Sequence, residues 1–336
     1  MSEKKRVVGI LGATGQVGKE LYTLLKERSF PFTEMKMFAS LNSEGEDMEN
    51  GKTVLGARAT AYTDLDLLFA AAPESVSREQ IAHAREKGVV VIDLSTAGMA
   101  SEPLLLVVPE INGELLEEEE AGWVTSPMAA TTGLAMVLDA LRGVAVPSRV
   151  GGSAFLTASH EGKKGVEELA GQTISLLNQG EVPKEIFPNR LAFNLIPGVG
   201  AIEEPGQVSA FESQLAEQLK FVLDESELEV HITGVYVPVF AGIACSVDIE
   251  FETSVSFQAM REALESYEGV GVLDTPENQL FPMLTDVTET NEVWVGRLRQ
   301  TGDNRCSLWI AMDNMRKGSA LNAVQIAELL VEEGVL

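Results

Sequence analysis

The chain has 336 residues, 45% of them apolar, with 51 acidic against 25 basic side chains and a net charge of −26 at pH 7. A surface that negative repels nucleic acid and anionic membrane, so neither is an expected partner. Two cysteines far apart, Cys245 and Cys306, exclude a disulfide framework and a paired-cysteine metal motif.

The length allows two domains with full cores. The N-terminal MSEKKR lacks the pattern of a secretory signal, and no apolar run is long enough to span a bilayer. A cytoplasmic protein is expected.

The first element, Val7 to Leu11, reads as a buried strand. Gly12, Gly15 and Gly18 follow at spacings of three, and Val17, Leu21, Leu24 and Leu25 then recur at helical spacing. Strand, glycine turn and helix in that order form a dinucleotide-binding fingerprint. Glycine permits a sharp turn and close approach of backbone to a pyrophosphate, and the free N–H groups of the helix start face it. The turn Gly12, Ala13, Thr14, Gly15, Gln16, Val17 is the candidate cradle.

Further strands are predicted at Met35–Ala39, Leu65–Ala70, Val89–Ser95 and Leu104–Glu110, with a helix over Ser77–Lys87. This alternation predicts a doubly wound parallel sheet. The acidic run Glu117–Glu120 reads as the solvated end of a helix. Trp123–Leu141 reads as a strand, a turn at Pro127 and an apolar helix, the junction between domains.

The second half changes rhythm. Strands are predicted at Arg149–Thr157, Glu229–Phe240, Gly242–Phe251, Glu292–Arg299 and Ser307–Met312, the middle two tightly joined. Helices are predicted at Glu161–Leu177, Gly206–Leu223, Ser256–Ser266 and Lys317–Glu333, the last packing back on the first domain. The expected architecture is an α+β domain with a large, mostly antiparallel sheet. His83 and His231 lie in polar surroundings without metal-ligand spacing, and Trp123, Trp294 and Trp309 read as core.

GATGQVG (Gly12–Gly18), VVPEIN (Val107–Asn112), SPMAATT (Ser126–Thr132), GVEELAGQT (Gly165–Thr173), RLAFNLIP (Arg190–Pro197), YVPVFAG (Tyr236–Gly242), EVWVGRLR (Glu292–Arg299) and DNMRKGSALNAVQIAE (Asp313–Glu328) occur in this order. Together they resemble the aspartate-semialdehyde dehydrogenases, enzymes of amino-acid biosynthesis. The resemblance implies a Rossmann-like domain over 1–128 plus a C-terminal helix at 314–336, a dimerisation domain over 129–313, and a homodimer. It also implies reductive dephosphorylation of an acyl phosphate with NADPH, through a cysteine thiolate and a histidine.

Position by position, the resemblance finds most of those groups replaced. Ala129 stands in place of the nucleophilic cysteine and Ile243 in place of the histidine. Tyr236 replaces the arginine that holds the substrate carboxylate, and Met99 the arginine that holds phosphate. Leu156 replaces the positioning glutamine, and Gln214 the substrate lysine. In the cofactor region Asn42 replaces an arginine for the adenosine phosphate, with Ser40 and Ser43 nearby, and Leu94 replaces an asparagine. Asn322 keeps its place as a partner for the nicotinamide amide.

The residues themselves offer one substitute nucleophile. Cys245 follows Ile243 by two residues on one strand and so shares its face. His160 is the candidate base. The same cysteine also belongs to an apolar stripe with Val247 and Ile249, which reads as core filling. Three readings stay open. The first is a non-catalytic homodimeric relative that binds NAD, NADP or neither and pairs with itself or with an active paralogue. The second is a dehydrogenase on another carbonyl substrate, using Cys245 or direct hydride transfer. The third is an assembly protein without a small ligand.

Overall fold

Strand β1 (Val7–Leu11) is apolar apart from Gly9, and four of its five residues are buried. Such a strand needs cover on both faces, which the centre of a parallel sheet supplies. Helix α1 (Gln16–Glu27) carries the chain back over the sheet, burying Gly18, Leu21, Leu24 and Leu25. It leads to β2 (Glu34–Ala39), β3 (Val54–Gly56) and β4 (Leu67–Ala70). Helix α2 (Glu74–Arg85) then precedes β5 (Val90–Asp93). After α3 (Pro109–Asn112) and α4 (Leu115–Glu118) comes β6 (Trp123–Thr125). The six strands lie in the order β3-β2-β1-β4-β5-β6 and pair only in parallel. This is the doubly wound sheet expected from the alternation of elements.

These elements come from a computed structural model that describes residues 6–48, 50–100, 104–118, 122–202, 204 and 206–336. The predicted acidic helix end therefore falls partly outside the described residues, at Glu119 and Glu120.

The strand expected at Leu104–Glu110 shrinks to a single bridge between Leu106 and Thr125. The Asn112 side chain explains the difference. It accepts from Val108 N at 2.9 Å and donates to Leu106 O at 2.9 Å, taking groups that a ladder would need. Pro109, which has no N–H, starts α3 at once.

The second unit begins with α5 (Ala129–Arg142), buried almost all round. It continues through β7 (Pro147–Leu156), α6 (Gly162–Leu177), β8 (Ile196–Pro197), α7 (Ala210–Leu223), β9 (Glu229–Tyr236) and β10 (Ile243–Phe251). Then follow α8 (Phe257–Ser266), β11 (Val270–Val272), α9 (Leu284–Val287), β12 (Val293–Gly302) and β13 (Arg305–Met312). Helix α7 starts four residues later than predicted. Ser209 and Glu212 form a capping box there, fixing the start at Ala210.

The seven strands run β11-β12-β13-β10-β7-β9-β8. Only β11–β12 and β7–β9 pair in parallel, so the sheet is mostly antiparallel as expected. The two strands predicted as tightly joined, β9 and β10, are not neighbours, because β7 lies between them. The connection passes over the end of β7, where Val239 O and Phe240 O accept from Ala158 N and Ser159 N at 2.9 Å each.

Helix α10 (Leu321–Glu332) returns to the first unit and packs on α1 and α3. Its Glu328 grips Arg28 at 2.8 and 2.7 Å, and its Gln325 donates to Glu110 at 2.8 Å. The compact units are residues up to Met128 with Ser319–Leu336, and Ala129–Gly318. The sequence places the return at 314. Residues 314–318 stay with the second unit because Asn314 Oδ1 accepts from Gly242 N at 2.9 Å and Ser159 Oγ at 3.0 Å.

A tight backbone contact in the first unit sits under α1. A Cβ added to Gly18 would lie 2.4 Å from Gly12 O and 2.7 Å from Ala13 Cα. Backbone cannot swing aside as a side chain can. Gly18→Ala should cost about 1–3 kcal/mol, read as a lowered urea midpoint at unchanged m-value.

Candidate functional site

The glycine turn separates into glycines the fold demands and one it does not. Gly12 has φ +81°, and a Cβ there would meet Ala71 O at 2.4 Å. Its N–H and that of Ala13 donate to Phe38 O at 2.9 and 3.0 Å, tying the turn to β2. Gly18 is held by the contact described above. Gly15 is exposed, has φ −74° and ψ 166°, and a Cβ there would meet only Gly12 O, at 3.2 Å. Open space beside a glycine at a helix start is what a pyrophosphate would fill. No side chain caps α1, so its first N–H groups face outward from Gln16 and Val17, while the N–H of Gly15 closes the turn on Gly12 O at 2.9 Å.

A second observation points the same way. The Gln16 side-chain oxygen is buried and has no hydrogen-bond partner. A ribose hydroxyl or carboxamide N–H would satisfy it. The chain's own residues thus fit a dinucleotide at Gly12–Val17.

Past β2, Ser40 and Asn42 are exposed and Ser43 half-buried. Sequence reasoning found no cation here, but the fold supplies one. Arg58 forms an ion pair with Glu44, and the pair lies over Gly56. Gly56 is the register partner of Ala39, the last residue of β2. Arg58 was hidden from sequence reasoning because it arrives from the next strand rather than from the loop after β2.

Asn322, which the resemblance implies as a nicotinamide partner, lies in the core of the first unit. It is fully buried, and its amide donates to Val107 O at 3.0 Å and to Ser126 Oγ at 2.9 Å. Both donors serve the first unit's own packing. At the end of β5, Asp93 accepts from Ser95 N, Ser95 Oγ and Gly98 N at 2.8, 2.6 and 2.7 Å. Burial pushes the Asp93 carboxyl up, and these bonds oppose that shift. They fold the turn that carries Leu94 and Met99, both half-buried.

In the second unit, register draws together three of the positions that the resemblance reads as replaced, with Met312 beside them. Ile243 on β10 pairs with Leu156 on β7, which pairs with Tyr236 on β9. On the other side Ile243 pairs with Met312 on β13. All four are buried. A Cβ added to Gly133 would lie 2.8 Å from Met312 Sδ, and one added to Gly318 would lie 3.0 Å from Met312 Cε and 2.6 Å from Ala129 Cβ. The thioether thus fills the hollow beside Ala129, and the row from Ala129 to Leu156 is continuous apolar packing. Gln214 stays apart, half-buried on α7.

Tyr236 ends the row differently. Its hydroxyl donates to the carboxylate of Glu161, while the rings of Phe187 and His160 pack 5.2 and 6.1 Å from its own. Burial first, and then Glu161, push the phenol well above its ordinary pKa. Where the resemblance implies a cation, this chain places a phenol backed by a negative charge.

Cys245 and His160 are not a pair. Cys245 sits opposite Ala154 and Ile310, one step along the sheet from Ile243, and is buried. His160 is exposed beyond the end of β7, beside Tyr236 and Phe211. Among the described residues the Cys245 side chain makes no hydrogen bond, and burial pushes its thiol up to about 12. Among the described residues no cluster of three His, Cys, Asp or Glu side chains could hold a metal, and no helix is long and apolar enough to cross a membrane.

Comparison with known proteins adds the following. Residues 7–119 match the family model described as semialdehyde dehydrogenase, NAD binding domain, and residues 138–317 match semialdehyde dehydrogenase, dimerisation domain. The aspartate-semialdehyde dehydrogenase of Aquifex aeolicus is 36% identical over 98% of this chain and 99% of its own length. The USG-1 protein homolog of Azotobacter vinelandii is 37% identical over 97% and 98%. The crystal structure of aspartate semialdehyde dehydrogenase II from Vibrio cholerae, complexed with ASA, superposes with a TM-score of 0.93 at 32% identity, covering 98% of this chain and 99% of that one.

The thiol yields a direct test. With its pKa near 12, Cys245 is a thiolate in only about one molecule in ten thousand at pH 8. Native protein at pH 8 should leave Cys245 unlabelled by a disulfide reagent, and denaturant should expose it. The sign for stability follows. The unfolded thiol ionises near 9 and the folded one near 12, so this group's contribution is whole below pH 9 and falls as pH rises from 9 to 12. Cys245→Ala should flatten that part of the pH–stability curve.

Proposed function

The chain belongs to the semialdehyde dehydrogenase family, and we propose that within it this protein is a non-catalytic, nucleotide-binding member that pairs with a second copy of itself. The observation that carries the reading is the packed row Ala129, Met312, Ile243 and Leu156, ending at Tyr236 on Glu161. A methyl group cannot attack a carbonyl, and isoleucine cannot move a proton. Losing nucleophile and base together costs roughly a million-fold in rate, about 8 kcal/mol. The Glu161 carboxylate behind Tyr236 also works against an anionic substrate that an arginine would have held.

The first unit keeps what binding needs. The N–H groups at the start of α1 would take the pyrophosphate, and Gln16 would accept from a ribose or carboxamide donor. Ser40, Asn42 and Ser43 would face the adenosine ribose, with Arg58 the cation for a 2′-phosphate. A bound nicotinamide would supply hydride chemistry. Glu44 already neutralises Arg58, which weakens the preference for NADP over NAD. The dimerisation domain supports pairing of two copies, and sedimentation of the purified protein tests it.

Thermal melting with NAD, NADP and their reduced forms separates the readings. A ligand at a hundred times its Kd stabilises by about 2.7 kcal/mol. A rise with any of the four is expected, and no rise with all four would favour an assembly protein. Gly15→Ala should change intrinsic stability by less than about 1 kcal/mol and abolish the rise. Arg58→Ala should weaken NADP about tenfold and leave NAD unchanged, as read by calorimetric titration.

Turnover of aspartate semialdehyde with phosphate and either dinucleotide should be absent. Restoring the thiol alone, by Ala129→Cys, should leave any rate at least about a thousand-fold below that of an active relative, because the missing groups work as a unit. Full activity from that single change would overturn the reading.

A further inference from the structure

Outside both regions described above, a cleft of about 630 Å³ opens beside the segment that joins α6 to β8. Lys184, Asn189 and Arg190 line one side, and Leu195, Ile196 and Pro197 the other. Among the described residues no carboxylate lines it. In a chain with 51 acidic residues that is unusual. Several cations elsewhere find carboxylates: Arg28 holds Glu328, Arg142 holds Asp139, Arg261 holds Glu265 and Arg305 holds Glu250. Among the described residues Lys184 and Arg190 form no ion pair. The amide of Asn189 is likewise unengaged, while Asn194 Nδ2 donates to Arg190 O at 3.0 Å and closes the turn.

The loop that carries these donors is fixed by two buried side chains of α6. Glu168 accepts from Glu185 N, Ile186 N and Phe187 N at 2.8, 2.6 and 3.2 Å. Gln172 accepts from Leu191 N and Ala192 N at 2.8 and 3.0 Å and donates to Pro183 O at 2.9 Å. A segment without regular structure is thus held as firmly as a helix turn. Pre-ordered donors bind a ligand without a further entropy loss.

We propose that this cleft binds a small phosphate monoester. Two uncompensated cations match a dianion, and the guanidinium and amide supply directed N–H donors for its oxygens. The apolar wall and the volume exceed what inorganic phosphate needs and suit the carbon part of the ester. The site is independent of the dinucleotide reading.

The test is calorimetric titration and thermal melting of the full chain with phenyl phosphate, inorganic phosphate and benzoate at matched ionic strength. Phenyl phosphate should bind saturably and raise the melting temperature. Inorganic phosphate should bind at least tenfold more weakly, and benzoate should not bind. Lys184→Gln/Arg190→Gln should melt like the parent without ligand and lose binding tenfold or more. Gly15→Ala, which disables the other phosphate-binding region, should keep it. The proposal is overturned by an absence of saturable binding, by equal binding of benzoate, by loss of binding in Gly15→Ala, or by retention in the double variant. It is also overturned if sedimentation shows the double variant falling to monomers, because the two cations would then belong to the contact between copies.

Discussion

How closely α5 lies on the second sheet governs the rest of that unit. The approach is set by two absent side chains, at Gly133 and Gly318, and by the sulfur that fills the space they leave. Met312 can occupy that hollow only because neither neighbour has a Cβ, and thioethers adapt to such irregular gaps. Once it is there, Ile243 and Leu156 extend the same layer across β10 and β7. A polar group anywhere along this layer would need a partner that the packing does not offer. Apolar packing along this layer is therefore collective. Each apolar member makes the next one favourable, and no single reversal restores the whole.

The two units differ in how they treat polar and uncovered groups. In the first, Gly15 remains glycine where the fold makes no strong demand for it, and Gln16 keeps a buried acceptor without a partner. Both are liabilities without a ligand. In the second, the row from Ala129 to Leu156 offers no such group. Cys245, two residues from Ile243 on β10, is buried and its thiol is held protonated. A protein that senses a nucleotide without transforming it would be expected to combine these two conditions.

Local pattern made much of the fold legible. β1, its turn and α1 follow from apolar spacing and glycine position alone, and α5 from an apolar run after Pro127. Where side chains redirect the backbone, pattern failed. The apolar run at 104–110 looks like a strand until Asn112 takes its hydrogen bonds. β9 and β10 look like neighbours because they are adjacent in sequence, yet β7 enters from 73 or more residues earlier to separate them. The replaced positions were found through flanking motifs, not through chemistry. Arg58 over Gly56, Glu161 behind Tyr236 and the thioether of Met312 all depend on contacts between distant elements, which no local periodicity encodes.

Helix α10 has a temporal consequence. The first unit owns residues on both sides of the second, and its core includes Leu321, Val324, Ile326 and Leu330 from that helix. During synthesis the glycine turn and the strands behind it must wait, incompletely covered, until the entire inserted unit has left the ribosome. The nascent N-terminal part therefore keeps apolar surface uncovered until α10 has docked.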